Sequence, residues 1–159
     1  AANKSSIGCD YYAIPPDVYD APQWNAPIAP GDCFAAFVTN NWSTDMTVSL
    51  VWKGTTINGN DYAYVPQGSG SSLTYKKIPS TGIPPNSMAI VFLNDDPTTT
   101  GQDAVRCPTG VKAAVTKDMV IHATSISNAI EVKTSVPAVV AGNTMEHSPA
   151  SVQFVVAYC

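Results

Sequence analysis

Between residues 33 and 158 the chain keeps breaking its own local order, and that interruption constrains the fold more than any other feature. Apolar runs of strand length alternate with turn-forming clusters: QGSGS, STGIPPN, DDPTTTG, CPTG and AGNTMEHSP. The runs are CFAAFVTN (33–40), MTVSLVWK (46–53), DYAYVP (61–66), SLTYKKI (72–78), SMAIVFLN (87–94), VKAAVT (111–116), MVIHATSI (119–126), AIEVKT (129–134), PAVVA (137–141) and SVQFVVAY (151–158). In the second of them Met46, Val48, Leu50 and Trp52 share one face, and Thr47, Ser49 and Lys53 share the other with Val51. That is the period-two pattern of a half-buried strand. Asn58-Gly59 has the chemistry of a two-residue hairpin turn. No segment sustains a 3.6-residue apolar period with a cap.

Short strands recurring every ~8–12 residues, with turn residues between them, predict an all-β fold. The expected form is an antiparallel β-sandwich, Ig-like or jelly-roll-like. AIVFLN and QFVVAY are apolar on both faces near their centres, as two stacked sheets allow. Residues 9–159 read as a single domain, and residues 1–8 as a mobile N-terminal arm. Five prolines at 15, 16, 22, 27 and 30 exclude helix and central strand, so the stretch from Ile14 to Pro30 reads as an extended surface loop. Tyr19 and Trp24 on that loop, with Trp42 further on, are candidate ligand contacts; the alternative is that they fold back over the core.

Charge narrows the partners. Only 13% of residues are charged, against 45% apolar, and the net charge is −4 with eight Lys plus Arg. Nothing here offers the basic footprint that nucleic acid or anionic lipid requires. A hydroxyl- and amide-rich surface with so few charges repels copies of itself weakly. No run reaches the ~18 apolar residues of a spanning helix, so no transmembrane segment is expected. A chain beginning Ala-Ala-Asn fits one from which a leader has been removed, and the expected location is extracellular or at the cell surface.

Four cysteines stand at 9, 33, 107 and 159, with no CxxC spacing for zinc or redox work. Structural disulfides in an oxidising compartment are expected, and three connectivities are open. Catalytic motifs are missing: there is no GxSxG elbow, P-loop, dinucleotide fingerprint or HExxH. His122 on a strand face and His147 on a loop have no evident partner in sequence. Asp95, Asp96 and Asp103 form the densest carboxylate group, a weak calcium candidate in a loop whose composition also suits an ordinary turn. Apart from that, no cofactor is expected. Asn3 and Asn41 open N-glycosylation sequons.

Taken together, SIGCDYYAIPPD, GDCFAAFVTNNWS, PQGSGSSLTY, PPNSMAIVFLN, RCPTGVKAAVTKD and IHATSISNAIEVKTSVPAVVA resemble the IgGFc-binding-protein N-terminal-like domain family of secreted bacterial multi-module surface proteins. The resemblance covers about residues 5 to 141. It implies extracellular β-sandwich modules with adhesion or matrix roles, and it brings no catalytic residues. It also implies a Cys33–Cys107 bond, which leaves Cys9 and Cys159. Those two either lock the ends of the domain together or link one molecule to the next. The functional expectation is a non-enzymatic structural or adhesion protein that assembles with copies of itself into a fibre or surface layer. In it an arm ending at Ile7 and Gly8 adds a strand to a neighbour. The alternative is a monomeric adhesin or lectin-like module that binds a glycan or protein through loop aromatics.

Overall fold

The computed structural model describes residues 7–15, 31–98, 105–119, 128–144, 152–153 and 156–158. Among them are ten strands: β1 Ile7–Ala13, β2 Phe34–Asn40, β3 Val48–Trp52, β4 Thr55–Asn58, β5 Ala63–Gln67, β6 Thr74–Lys77, β7 Ser87–Asn94, β8 Ile130–Thr144, β9 Val152–Gln153 and β10 Val156–Tyr158. Single 3₁₀ turns at Gly59–Tyr62 and Gly70–Ser72 are the described helical pieces. The chain is all-β, as the alternation predicts. Hydrogen bonding joins the described strands into one antiparallel sheet, ordered β10-β1-β8-β2-β7-β5-β6, with the β3–β4 hairpin also attached to β8. The sheet curls as a half-barrel. The hydrogen bonds thus draw one curled sheet where a two-sheet sandwich was expected.

The curl originates in β8. Along one of its edges Glu131 to Thr134 pair with β3, and Val139 to Thr144 pair with β2. Pro137, which has no N–H to give a ladder, lies where the partner changes. Local bonds replace the interrupted ladder: Ser135 N–H donates to the Thr47 carbonyl at 3.0 Å, Thr47 N–H to Ser135 Oγ at 3.0 Å, and Trp42 Nε1–H to the Pro137 carbonyl at 2.6 Å. On the opposite edge β1 follows the bend through a register shift between Gly8 and Asp10. The phenol of buried Tyr11 fastens that shift. It accepts Gly8 N–H at 2.6 Å, and its own proton faces the carbonyls of Gly8 and Ala138.

The concave face holds the main core. Tyr11, Val132, Leu50 and Ile57 form one row across β1, β8, β3 and β4, and Val140, Val38 and Ala89 form another across β8, β2 and β7. The β3–β4 turn is Lys53-Gly54, both at positive φ (50° and 77°), the type that matches strand twist. Asn58-Gly59, expected to be that turn, instead ends β4 and leads into the 3₁₀ turn. A Cβ at Gly59 would lie 2.7 Å from Val48 Cγ1, so only glycine allows this approach. Fully buried Asn40 ties β2 to the segment ahead of β7: its Nδ2 faces the carbonyls of Thr44, Ile83 and Pro84 at 2.9–3.1 Å.

β1 begins at Ile7, which pairs with Val139, while Gly8 pairs with Ala138. The two residues expected to end a donated arm therefore form the first rungs of the chain's own sheet, and residues 1–6 lie outside the described set. Tyr11→Phe keeps the ring and removes the fastening, stranding Gly8 N–H beside two carbonyls. Its expected cost is about 1–3 kcal/mol, read as a lower urea midpoint with unchanged slope.

Candidate functional site

β7 is apolar on both faces because both are covered. Ile90 and Phe92 point away from the main core and join Cys33, Ala35 and Tyr64 in a second buried cluster. What covers them is an extended segment, packed through Cys107, Val111 and Ala113. The run 111–116, expected to be a strand, forms one isolated bridge, Asn94 with Val115. Its backbone follows the end of β7, with Ala114 N–H on the Phe92 carbonyl (3.0 Å) and Val115 N–H on the Leu93 carbonyl (2.9 Å). Tyr64 and Tyr75 each meet Phe92 edge-on, with centroids 5.7 and 5.6 Å apart.

Two devices hold this cover. One is the Cys33–Cys107 disulfide, which joins residues 74 apart in sequence and is the pairing implied by the resemblance. The other is a clasp of carboxylates. Asp95 pairs with Arg106 at 2.9 Å, and Arg106 also reaches the Asp96 carbonyl. Asp96 accepts Thr98 N–H (2.8 Å) and Thr98 Oγ1–H (2.7 Å) on one oxygen and Asp118 N–H (2.9 Å) on the other. Asp32 accepts Val105 N–H at 3.0 Å, and Asn94 Nδ2 faces the carbonyls of Val115 and Lys117. The calcium candidates Asp95 and Asp96 are therefore engaged by protein donors. Among the described residues no group of three or more His, Cys, Asp or Glu is placed to hold a metal. Asp103 lies outside the described residues. The carboxyl of Asp96 is held below its ordinary value, chiefly by the Thr98 hydroxyl and then by the Thr98 N–H.

Trp42 is placed on the surface, 47% exposed, with its indole N–H fixed on the Pro137 carbonyl. Its neighbours in the expected set, Tyr19 and Trp24, lie outside the described residues, as do His122, His147 and Cys159. β1 and β10 pair in the register Asp10↔Tyr158, Tyr11↔Ala157, Tyr12↔Val156, which puts strands from the two ends of the chain side by side. On the convex face Glu131 Oε1 accepts Tyr12 O–H at 3.0 Å and pairs with Lys133 at 3.0 Å. Its hydrogen bond to Glu131 raises the Tyr12 phenol above its ordinary value, and the separate bond from Lys133 to Glu131 raises the Lys133 ammonium.

The sheet has exposed edges that sequence reading did not locate. β6 pairs only with β5, and β4 only with β3, among the described residues. β6 carries Lys76 and Lys77, the usual guard of an open edge, whereas Thr55, Thr56, Ile57 and Asn58 of β4 carry no charge. The missed signal was Lys53-Gly54, a turn that makes a strand of the polar residues after it. No described helix is long and apolar enough to cross a membrane. Comparison with family models, curated proteins and solved structures finds no match for the chain.

Two measurements test the cover. With both Cys33 and Cys107 replaced by serine, the chain-entropy model for this separation gives a loss of about 4 kcal/mol. The amides of Ala114 and Val115 should then lose hydrogen-exchange protection before those of Val38 and Val132. Because the Asp96 carboxyl is depressed in the folded state, its contribution is present above about pH 4 and lost as pH falls through the lower folded value. Asp96→Asn should destabilise the protein at pH 7, and the gap to the parent, in urea midpoints, should shrink at pH 3.

Proposed function

We propose that the protein is a non-enzymatic extracellular structural or adhesion protein that assembles with copies of itself through sheet edges. One observation carries the reading: among the described residues the outer edge of β4 has no partner strand and carries no charge, in a chain with little charge elsewhere to keep copies apart. A strand from a second copy laid against Thr55–Asn58 would satisfy backbone groups that the β3–β4 hairpin leaves on its outer side. The Cys33–Cys107 bond favours an oxidising compartment. The resemblance to secreted bacterial surface modules points the same way. The reading takes the contact between copies to be non-covalent, made through backbone hydrogen bonds at that edge.

The alternative, a monomeric module that binds a glycan or protein, draws on Trp42, whose half-exposed ring is held rigidly. Light scattering after size exclusion separates the two readings. Assemblies that persist in reductant, and fall to a 16.7 kDa monomer when Thr55 and Thr56 are both changed to lysine, are the expected result. A parent protein that is monomeric at every concentration overturns self-assembly and leaves the adhesin. Lysine variants that assemble like the parent overturn the role of β4.

A further inference from the structure

At the end of the half-barrel opposite β10, the concave face of β5 and β6 forms a groove of about 410 Å³. Val65 and Ile78 stand in its wall together with Pro79 and Pro84. Its size lies within the ~300–1,000 Å³ of small-molecule sites. The walls are fixed before anything binds. The two prolines have restricted φ, and the turn between them depends on Gly82 at φ 124°, where a Cβ would strike the Met46 carbonyl. The Pro84 carbonyl is gripped by buried Asn40 at 3.1 Å and by the Ser87 hydroxyl at 2.7 Å.

The charge of the groove has one sign. Lys76 and Lys77 both belong to its lining, and no acidic residue does. Lys77 is paired with Asp61 at 3.4 Å, outside the groove. Lys76 sits directly across from Val65 in the β5–β6 register, so the two side chains share a face, the one on which Ile78 also lies. Lys76 is thus the lining cation on the same face as the apolar residues Val65 and Ile78.

We propose that this groove binds a small amphiphilic carboxylate, an alkyl or aryl body seated against Val65, Ile78 and the two prolines with its carboxylate on Lys76. The inference is independent of self-assembly, because the β4 edge lies on the other hairpin and the lysine-blocked variant can serve as the monomeric sample.

The test is a ¹H–¹⁵N titration with 4-phenylbutyrate and, as the neutral match, 4-phenylbutanol. Saturable shifts confined to the amides of Val65, Lys76, Ile78 and Ser87 are expected, with the carboxylate binding roughly two- to fivefold tighter, as a rim-exposed ion pair allows. That preference should shrink in 1 M salt and vanish in Lys76→Ala, while Lys112→Ala keeps it. Shifts that do not saturate, or that fall outside the groove, overturn the proposal. So does equal affinity for acid and alcohol, or a preference that survives Lys76→Ala.

Discussion

One strand, β8, carries hydrogen bonds to four others, and the half-barrel exists because that strand changes partners partway along. β1, β2, β3 and β9 all pair with it. An unbroken ladder along either edge would give a flatter sheet with no enclosed face. The break at 135–138 separates the β3–β4 hairpin from the β2–β7–β5–β6 group along one edge of β8, and residues of both groups share the main core. Each neighbour of the break contributes a specific bond: Ser135 to Thr47, Trp42 to Pro137, Tyr11 to Gly8 and Ala138. The exposed indole of Trp42 thus has a structural occupation as well as a surface.

The same strand shapes how the chain must fold. β1 and β2 lie on opposite edges of β8 and do not pair, although they are successive in sequence. The pairing of Phe34 with Thr144 spans most of the chain, so the closure entropy is met before the sheet gains its central rungs. A disulfide across Cys33 and Cys107 shortens that search, since it fastens the start of β2 to the segment ahead of β8.

The sequence was most legible where burial is one-sided. Val48 to Trp52 lie inside the run read as alternating, and SMAIVFLN is β7 from first residue to last. It was least legible where a backbone conformation or a remote partner decided the outcome. β4 has one partly buried apolar residue, Ile57, and follows a turn in which a lysine adopts positive φ, so periodicity had nothing to detect. AIEVKT and PAVVA read as two strands because Pro137 punctuates them; tertiary bonds carry β8 across it. VKAAVT has strand composition but spends its apolar residues as a cover over Phe92. The two-faced pattern of β7 signalled two covered faces, and a stapled segment supplies the second as well as a sheet would.

The sites differ from the strands in legibility: composition shows which groups are near in sequence, and structure shows how they are engaged. Asp95 and Asp96 have the chemistry of hard-cation ligands, yet their oxygens receive a guanidinium and backbone N–H groups from residues 98 to 118. Those donors fasten the loop to the cover as a clasp. The groove is assembled from β5, β6 and the 79–87 segment, no two of which share a motif. The lysines show how one residue type serves opposite ends. On β6 they guard an edge against pairing and also set the sign of the groove behind it. On β4, Thr55 to Asn58 supply no such charge, so the two edges of one sheet differ in how they are guarded.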